Sequence, residues 1–268
     1  MTDVPALDVL LPRAPLTPVR LEPRDDEAEL VDLLARARPE GRGDVMVRAN
    51  MIATLDGAAT GPDDVTGSIN GPADLRVFRA LRTVADVVLV GAGTVRQERY
   101  RGIDLPAALE ETRRAHGRAE PPRLAVVTRR GDVPDELLGT DLPPLVVTVA
   151  SSPRLGELRD RIGAESVLVA GDGDGDGPVD LGLALGLLGD LGLTDVLTEG
   201  GPALLAGLLQ RGLVDELFLT WSPTIVGGPA PRVLAGAPWL APPVDATLVH
   251  LLHADGVLLG RWRLHATA

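Results

Sequence analysis

The chain contains no lysine; all 26 of its basic residues are arginine. No Schiff-base lysine is therefore available for pyridoxal chemistry, and no Gly-Lys-Ser/Thr loop for nucleoside triphosphates. A dehydrogenase built on a Tyr-x-x-x-Lys pair is excluded too, Tyr100 being the only tyrosine. Cysteine is also absent, which removes disulfides, thiol nucleophiles and Cys-ligated metals and leaves the redox compartment open. A zinc base deaminase, which in most forms takes cysteine ligands, goes with them. His116, His250, His253 and His265 are not spaced as a metal site, and His250 and His253 read as structural residues of a C-terminal strand region. Aromatic residues make up only 2% of the chain, so its core must be mostly leucine, valine and alanine.

Long apolar runs are missing as well: none reaches the roughly 18 residues of a membrane span. The nearest, Leu181 to Leu193, carries four glycines and Asp190 and reads as a packed helix. The N-terminus has Asp3 and prolines where a secretion signal has a basic and then an apolar segment, so a cytoplasmic enzyme is expected. The net charge of −12 argues against nucleic acid or a membrane surface as partner, without forbidding a local anion pocket. What survives these exclusions is chemistry run by a bound cofactor on a small molecule, with the protein supplying orientation and polar groups.

At 268 residues and 45% hydrophobic, the chain suits one domain with terminal extensions, or at most two small domains. Residues 1–43 are rich in Pro, Asp, Glu and Arg and read as one such extension. They hold one short surface helix, Glu27 to Ala37, docked through Leu30, Leu33 and Leu34. Over residues 44–268 strand and helix patterns alternate, which predicts an α/β domain. Its sheet is mixed and mainly parallel, flanked by helices, with an antiparallel C-terminal hairpin turning at Ala254-Asp255. The Gly-Asp run Gly171 to Gly177 lacks a repeating apolar position and reads as a flexible acidic loop, not a metal site.

Two strands end in glycine-flanked turns. Val87 to Val90 stops at Gly91-Ala92-Gly93-Thr94; Val196 to Thr198 leads into Glu199-Gly200-Gly201-Pro202 and the helical run Ala203 to Arg211. Missing Cβ atoms let a phosphate approach the backbone, and the N–H groups of the following helix start point at the anion. One such turn is often only a tight corner. Two in one chain predict a dinucleotide.

Further pieces are Thr54-Leu55-Asp56-Gly57, the Arg82…Ala85-Asp86 helix-to-strand junction, Val214-Asp215-Glu216-Leu217 and Ser222-Pro223…Gly227-Gly228. With the two glycine turns, and in this order and spacing, they resemble the reductase domain of the riboflavin-biosynthesis deaminase/reductases. The resemblance runs from about Val45 to Arg263. Arg48-Ala49-Asn50-Met51-Ile52-Ala53 is similar to a stand-alone actinobacterial branch; the zinc deaminase domain of bifunctional relatives has no counterpart. The family usually begins the Leu-Asp-Gly turn with Ser where this chain has Thr54.

The resemblance implies a dihydrofolate-reductase-like fold. It also implies NADPH-dependent reduction of a 5-amino-6-(5-phosphoribosylamino)uracil-type substrate to its ribitylamino form. On the cofactor side it implies Ala53, Gly91, Gly93, Thr94, Glu98, Thr128, Arg129, Gly200, Gly201, Pro202, Ala203 and Leu204. Arg129 and Arg130 either meet the 2′-phosphate or are solvated charges on a turn. For the substrate it implies Asn50, Thr66, Ser68 and Arg82, although the aromatic residue often found near Ser68 is absent. Arg82 alternatively pairs with Asp86. Asp56 and Glu199 are the candidates for proton handling; Asp56 can equally cap its turn. A homodimer is expected, because the Glu216 to Trp221 strand and the C-terminal hairpin are apolar on both faces. Two alternatives stay open: a dihydrofolate or pterin reductase on the same fold, and a nucleotide-binding protein without catalysis.

Overall fold

The computed structural model describes residues 4–11, 19–35, 45–172, 177–234, 236 and 238–265. Along the chain, β1 (Leu7–Leu11), β2 (Val19–Leu21) and α1 (Ala28–Ala35) lead to β3 (Met46–Thr54). A 3₁₀ turn at Thr66–Ser68 precedes α2 (Pro72–Val84), β4 (Val87–Gly91) and α3 (Ala92–Gln97). Next come α4 (Ala107–Ala115), β5 (Arg123–Val127), α5 (Asp135–Leu138), β6 (Leu145–Thr148), α6 (Leu155–Ile162) and β7 (Val167–Val169). The chain closes with α7 (Leu181–Asp190), β8 (Asp195–Thr198), α8 (Pro202–Gln210), β9 (Glu216–Ser222), β10 (Ala246–Ala254) and β11 (Val257–Leu264).

All eleven strands form one sheet in the order β2-β1-β10-β11-β9-β3-β8-β4-β5-β6-β7. From β9 to β7 every pairing is parallel; β2, β1, β10 and β11 are antiparallel. The parallel strands are buried on both faces, as their unbroken valine runs require: Val87 to Val90 are wholly inaccessible. β9 alternates instead, with Phe218 and Thr220 inside and Leu217, Leu219 and Trp221 half-exposed. Two leucine- and valine-rich clusters cover the two faces, one centred on α2 and the other on α7 and α8. The topology leaves a gap between β3 and β4 that β8 fills late in the chain. Crevices at the carboxyl ends of parallel strands open at such reversals, and both cavities below lie there.

Two expectations are corrected. The N-terminal segment carries two strands besides its helix: β1 pairs with β10 and thereby joins the main sheet. Prolines and charges around Leu7–Leu11 mask that strand in the sequence. The segment is pinned by Arg76 of α2, whose guanidinium pairs with Glu27 at 2.6–2.7 Å and donates to the carbonyls of Pro5, Leu21 and Glu22. Leu7, Leu30, Val31 and Leu34 are buried with it. The C-terminal hairpin turns one residue later than expected, at Asp255-Gly256, because Ala254 already pairs with Val257. Both turn residues take positive φ, 50° and 83°, the tight two-residue geometry that Asp-Gly favours. Within the acidic run 171–177, residues 173–176 lie outside the described residues, as does the expected 43/44 boundary.

Candidate active site

The smaller cavity, about 310 Å³, is lined by β3 (Asn50, Ile52), the 3₁₀ turn (Thr66), one stripe of α2, Thr94 and Glu98 of the α3 turn, Tyr100, and Glu199 after β8. The α2 stripe is Asp74, Phe78 and Arg82; a spacing of four residues puts them one above another on a single helix face. Pro72 at the first turn starts that helix.

Arg82 and Glu199 form a bidentate pair, Nε to Oε1 at 2.6 Å and Nη2 to Oε2 at 2.7 Å. The Tyr100 hydroxyl donates to the same Oε2 at 2.7 Å, and the guanidinium lies over the Phe78 ring, 4.1 Å from its centroid. The Glu199 side chain is 2% exposed. Burial, the largest single influence, would lower the Arg82 pKa, but the charge and hydrogen bonds of Glu199, with Tyr100, together outweigh it and hold the guanidinium above its ordinary value. Burial, reinforced by Glu199, pushes the Tyr100 hydroxyl well above its own. Glu199 thus accepts three hydrogen bonds, two from Arg82 and one from Tyr100, with acceptor capacity left, and its pairing leaves Arg82 no net positive charge to offer. The alternative Arg82–Asp86 pair does not form: Asp86 accepts from Arg118 and from the N–H groups of Thr194 and Asp195.

The larger cavity, about 730 Å³, adjoins it. Gly91, Gly93, Thr128, Arg129, Arg130, Ala203 and Leu204 all line it, with Arg96, Gly207 and Arg211. A Cβ on Gly93 would meet no atom within 4 Å and would stand in the open groove. Gly201 caps α8 without any side-chain acceptor, so the N–H groups at that helix start remain for an anion. The glycine-to-helix cradle fits the diphosphate of a dinucleotide. The seam between groove and cleft is tight. The Gly91 N–H donates to the Gly200 carbonyl at 3.2 Å, and a Cβ on Gly201 would stand 2.6 Å from Thr94 Oγ1.

Eight expected positions fall elsewhere. Thr94, expected at the cofactor, lines the smaller cleft, and Gly200, Gly201 and Pro202 line neither cavity. Glu98, expected at the cofactor, lines the smaller cleft and accepts from the Thr66 N–H and hydroxyl at 3.0 and 3.1 Å; the last turn of α3 carries it past the glycines. Ala53 is buried in β3 and lines neither cavity. Ser68 is exposed, its hydroxyl bonded within its own loop to Asp63 and Val65. Asp56 is outside both cavities. Its carboxylate accepts from Thr54 and from the N–H groups of Val226 and Gly227, which fasten the 54–57 turn to the 224–228 loop. The Thr54 hydroxyl, then Gly227, holds it below the ordinary carboxylate range. Pro202 lies on the seam, at the first turn of α8.

Sequence reasoning missed Asp74, Phe78 as a ring for Arg82, Tyr100 and Asn70. Asp74 is 5% exposed, and burial, opposed only by a Thr220 hydrogen bond, pushes its carboxyl up to about 6. Asn70 Oδ1 is buried without a hydrogen-bond partner among the described residues, an acceptor that a ligand can fill. The four-residue spacing of Asp74, Phe78 and Arg82 was the signal available for the first two.

A charged cleft thus lies beside a glycine groove at the carboxyl edge of a mainly parallel sheet, and the relatives the chain resembles make the class an oxidoreductase that uses a nicotinamide nucleotide. The chain matches the model of the RibD C-terminal domain over residues 45–258 and belongs to that family. It is 32% identical over 208 residues to the 2,5-diamino-6-ribosylamino-4(3H)-pyrimidinone 5′-phosphate reductase of Methanothermobacter thermautotrophicus, covering 75% of this chain and 88% of that one. To the enzyme of the same name from Archaeoglobus fulgidus it is 30% identical over 197 residues, covering 72% and 88%. Among solved structures it is similar to a pyrimidine reductase-like protein from Corynebacterium diphtheriae. There the TM-score is 0.71 and the identity 25%, over 89% of this chain and 99% of that one. No helix among the described residues is long and apolar enough to cross a membrane.

Proposed function

We propose that the chain is the NADPH-dependent pyrimidine reductase of riboflavin biosynthesis, reducing a ribosylaminopyrimidine 5′-phosphate to its ribitylamino form. The observation that carries this is the Arg82–Glu199–Tyr100 cluster, set in the cleft directly beside the glycine seam. When bound, the dihydronicotinamide supplies hydride to C1 of the substrate sugar. Gly91, Gly93, Ala203 and Leu204 hold the dinucleotide. Arg129 and Arg130 carry preference for the 2′-phosphate. Because Glu199 already neutralises Arg82, the pair suits the polar edge of the pyrimidine better than a phosphate dianion. The Glu199 carboxylate accepts a ring or amino N–H, and Asn50 and Asn70 extend the recognition.

The working form is a cytoplasmic homodimer, paired through the half-exposed face of β9 and the C-terminal hairpin. Light scattering of the purified protein should give twice the 28.0 kDa chain mass. Dihydrofolate reduction is the second reading, favoured by one observation: Asp74 places a buried acid in the cleft. Steady-state assays of both substrates with NADPH and with NADH decide. Turnover of the pyrimidine substrate, with a preference for NADPH that the Arg129→Ala/Arg130→Ala variant loses, is the expected result. Turnover of dihydrofolate alone overturns the reading.

A further inference from the structure

Asp74 is a carboxyl group that the substrate cleft contains and that binding alone leaves unemployed. It lines the cavity from the first turn of α2, is 5% exposed, and has no ion-pair partner among the described residues. Its one side-chain partner is the Thr220 hydroxyl of β9. The charged and titratable groups facing this part of the cleft are Arg82 from the same helix, Glu98 at the end of α3, Tyr100, and Glu199 after β8. β3 and β9 present the neutral Asn50 and Thr220. Arg82, Glu199 and Tyr100 satisfy one another, and Glu98 is held by Thr66. A carboxyl in this setting is desolvated without a compensating cation, the condition that keeps an acid protonated.

We propose that Asp74 is the proton donor of the reduction, a carboxyl group walled into the cleft within reach of the substrate's sugar. The proposal rests on the reading of the cleft as a ribosylaminopyrimidine site. As the C1–O4′ bond of the ribosylamine breaks, the nitrogen lone pair forms C1=N⁺ and the sugar oxygen takes the Asp74 proton to become a hydroxyl. Hydride addition at C1 then returns the π pair to nitrogen, leaving a neutral secondary amine. The two electrons come from the nicotinamide, and the Asp74 carboxylate regains its proton from water at the cleft mouth. Burial drives the carboxyl up to about 6, the range in which an acid donates efficiently near neutral pH.

The test compares the wild-type chain with Asp74→Asn and Thr220→Val. Wild-type kcat should fall as pH rises through the Asp74 titration. Asp74→Asn should lose about a hundredfold or more in kcat, with little change in KM, and should lack that limb. Removing the Thr220 hydroxyl removes a donor to the carboxylate, so Thr220→Val should move the limb to higher pH. Glu98→Gln should leave its position where it is. Independently of turnover, ¹³C carboxyl NMR of the wild-type protein should show one aspartate titrating near the raised value, absent from Asp74→Asn.

A wild type that reduces the pyrimidine substrate while Asp74→Asn keeps its kcat overturns the proposal and leaves the reductase reading standing. So does an Asp74→Asn variant that raises KM alone with the limb intact, since Asp74 is then a binding residue. A ¹³C signal titrating with the ordinary aspartates also overturns it. A wild type that turns over no ribosylaminopyrimidine phosphate overturns both readings together.

Discussion

The glycine groove and the charged cleft meet at neighbouring residues, Gly93 lining the one and Thr94 the other, yet they are built from opposite materials. The groove is backbone: glycines, a helix start without a side-chain cap, and arginines at its rim. The cleft is side chains, with Glu199 and Arg82 in a bidentate pair and the Asp74 carboxyl pushed up to about 6 by burial. A backbone cradle suits a ligand whose phosphates want N–H groups and close approach. A side-chain cleft suits one that must be read atom by atom and given a proton. The difference shows which region carries stored electrostatic cost. Charges in the cleft are desolvated and hold one another, whereas those at the groove rim stay in water, Arg130 with a 70% exposed side chain 3.6 Å from Asp132.

The largest effect expected from this contrast follows removal of Arg82. Arg82→Met leaves the buried Glu199 carboxylate with only Tyr100, and breaking a buried pair from one side costs roughly 3–5 kcal/mol. Urea unfolding should show that loss, and Arg82→Met/Glu199→Leu should recover most of it without recovering activity. A single variant as stable as wild type breaks the comparison, for the cleft charges would then be solvated like those of the groove.

The same contrast decides what the sequence could disclose. The groove was legible, because glycine before a helix start has a local backbone meaning, and Gly91, Gly93, Ala203 and Leu204 line one groove. The parallel strands were legible for a similar reason, each being a short valine-rich run between turn residues. The cleft was half-legible. Glu199, Asn50, Thr66 and Arg82 line it, but Arg82 pairs across 117 residues of chain with Glu199, a contact no local pattern contains. Nothing in the residues around Tyr100 marks it as a donor to Glu199, 99 residues away. Asp74 sits in the first turn of α2, where an acid has an ordinary local reason to be, and only the fold, which sets it beside Thr220 of β9, makes it a buried group. β1 was hidden because its partner, β10, lies more than two hundred residues away.

Next in size is a pH effect confined to the cleft. The folded protein holds the Asp74 proton up to about 6, against an ordinary value of 3.8. Between those values the native state binds more protons than the unfolded one, so stability falls as pH rises and the loss is complete above the folded value. Two units correspond to about 3 kcal/mol. Asp74→Asn should therefore be more stable than wild type at about pH 8 by up to that amount, the advantage fading toward about pH 4. Parallel stability curves for the two proteins would place Asp74 in water and remove the cleft's distinguishing cost.

The groove has its own, smaller probe. Gly201 takes φ of −80°, which alanine tolerates, so Gly201→Ala tests contact rather than backbone strain. The added Cβ meets Thr94 Oγ1 at 2.6 Å, an overpacking worth about 1–3 kcal/mol. Calorimetry should show nucleotide affinity falling by about tenfold or more, with Thr94→Ala/Gly201→Ala restoring part of it. Unchanged affinity in the single variant would detach the seam from the cofactor site.

The smallest effect concerns Asp56, which belongs to neither cavity. Its carboxylate bonds Thr54, Val226 and Gly227, and so ties the turn after β3 to the loop after β9. A residue that only fastens two loops should matter evenly across pH and little in size. Asp56→Asn keeps the shape and one acceptor oxygen, so kcat should drop by less than about tenfold, short of what general acid catalysis contributes. The pH profile should keep its wild-type form, since the Thr54 and Gly227 donors hold this carboxyl below the ordinary range and ionised throughout the working region. A loss of about a hundredfold that also erases the fall in kcat at higher pH would reverse the assignment. Proton handling would then lie at the loop-tied aspartate, and the cleft would be left with recognition alone.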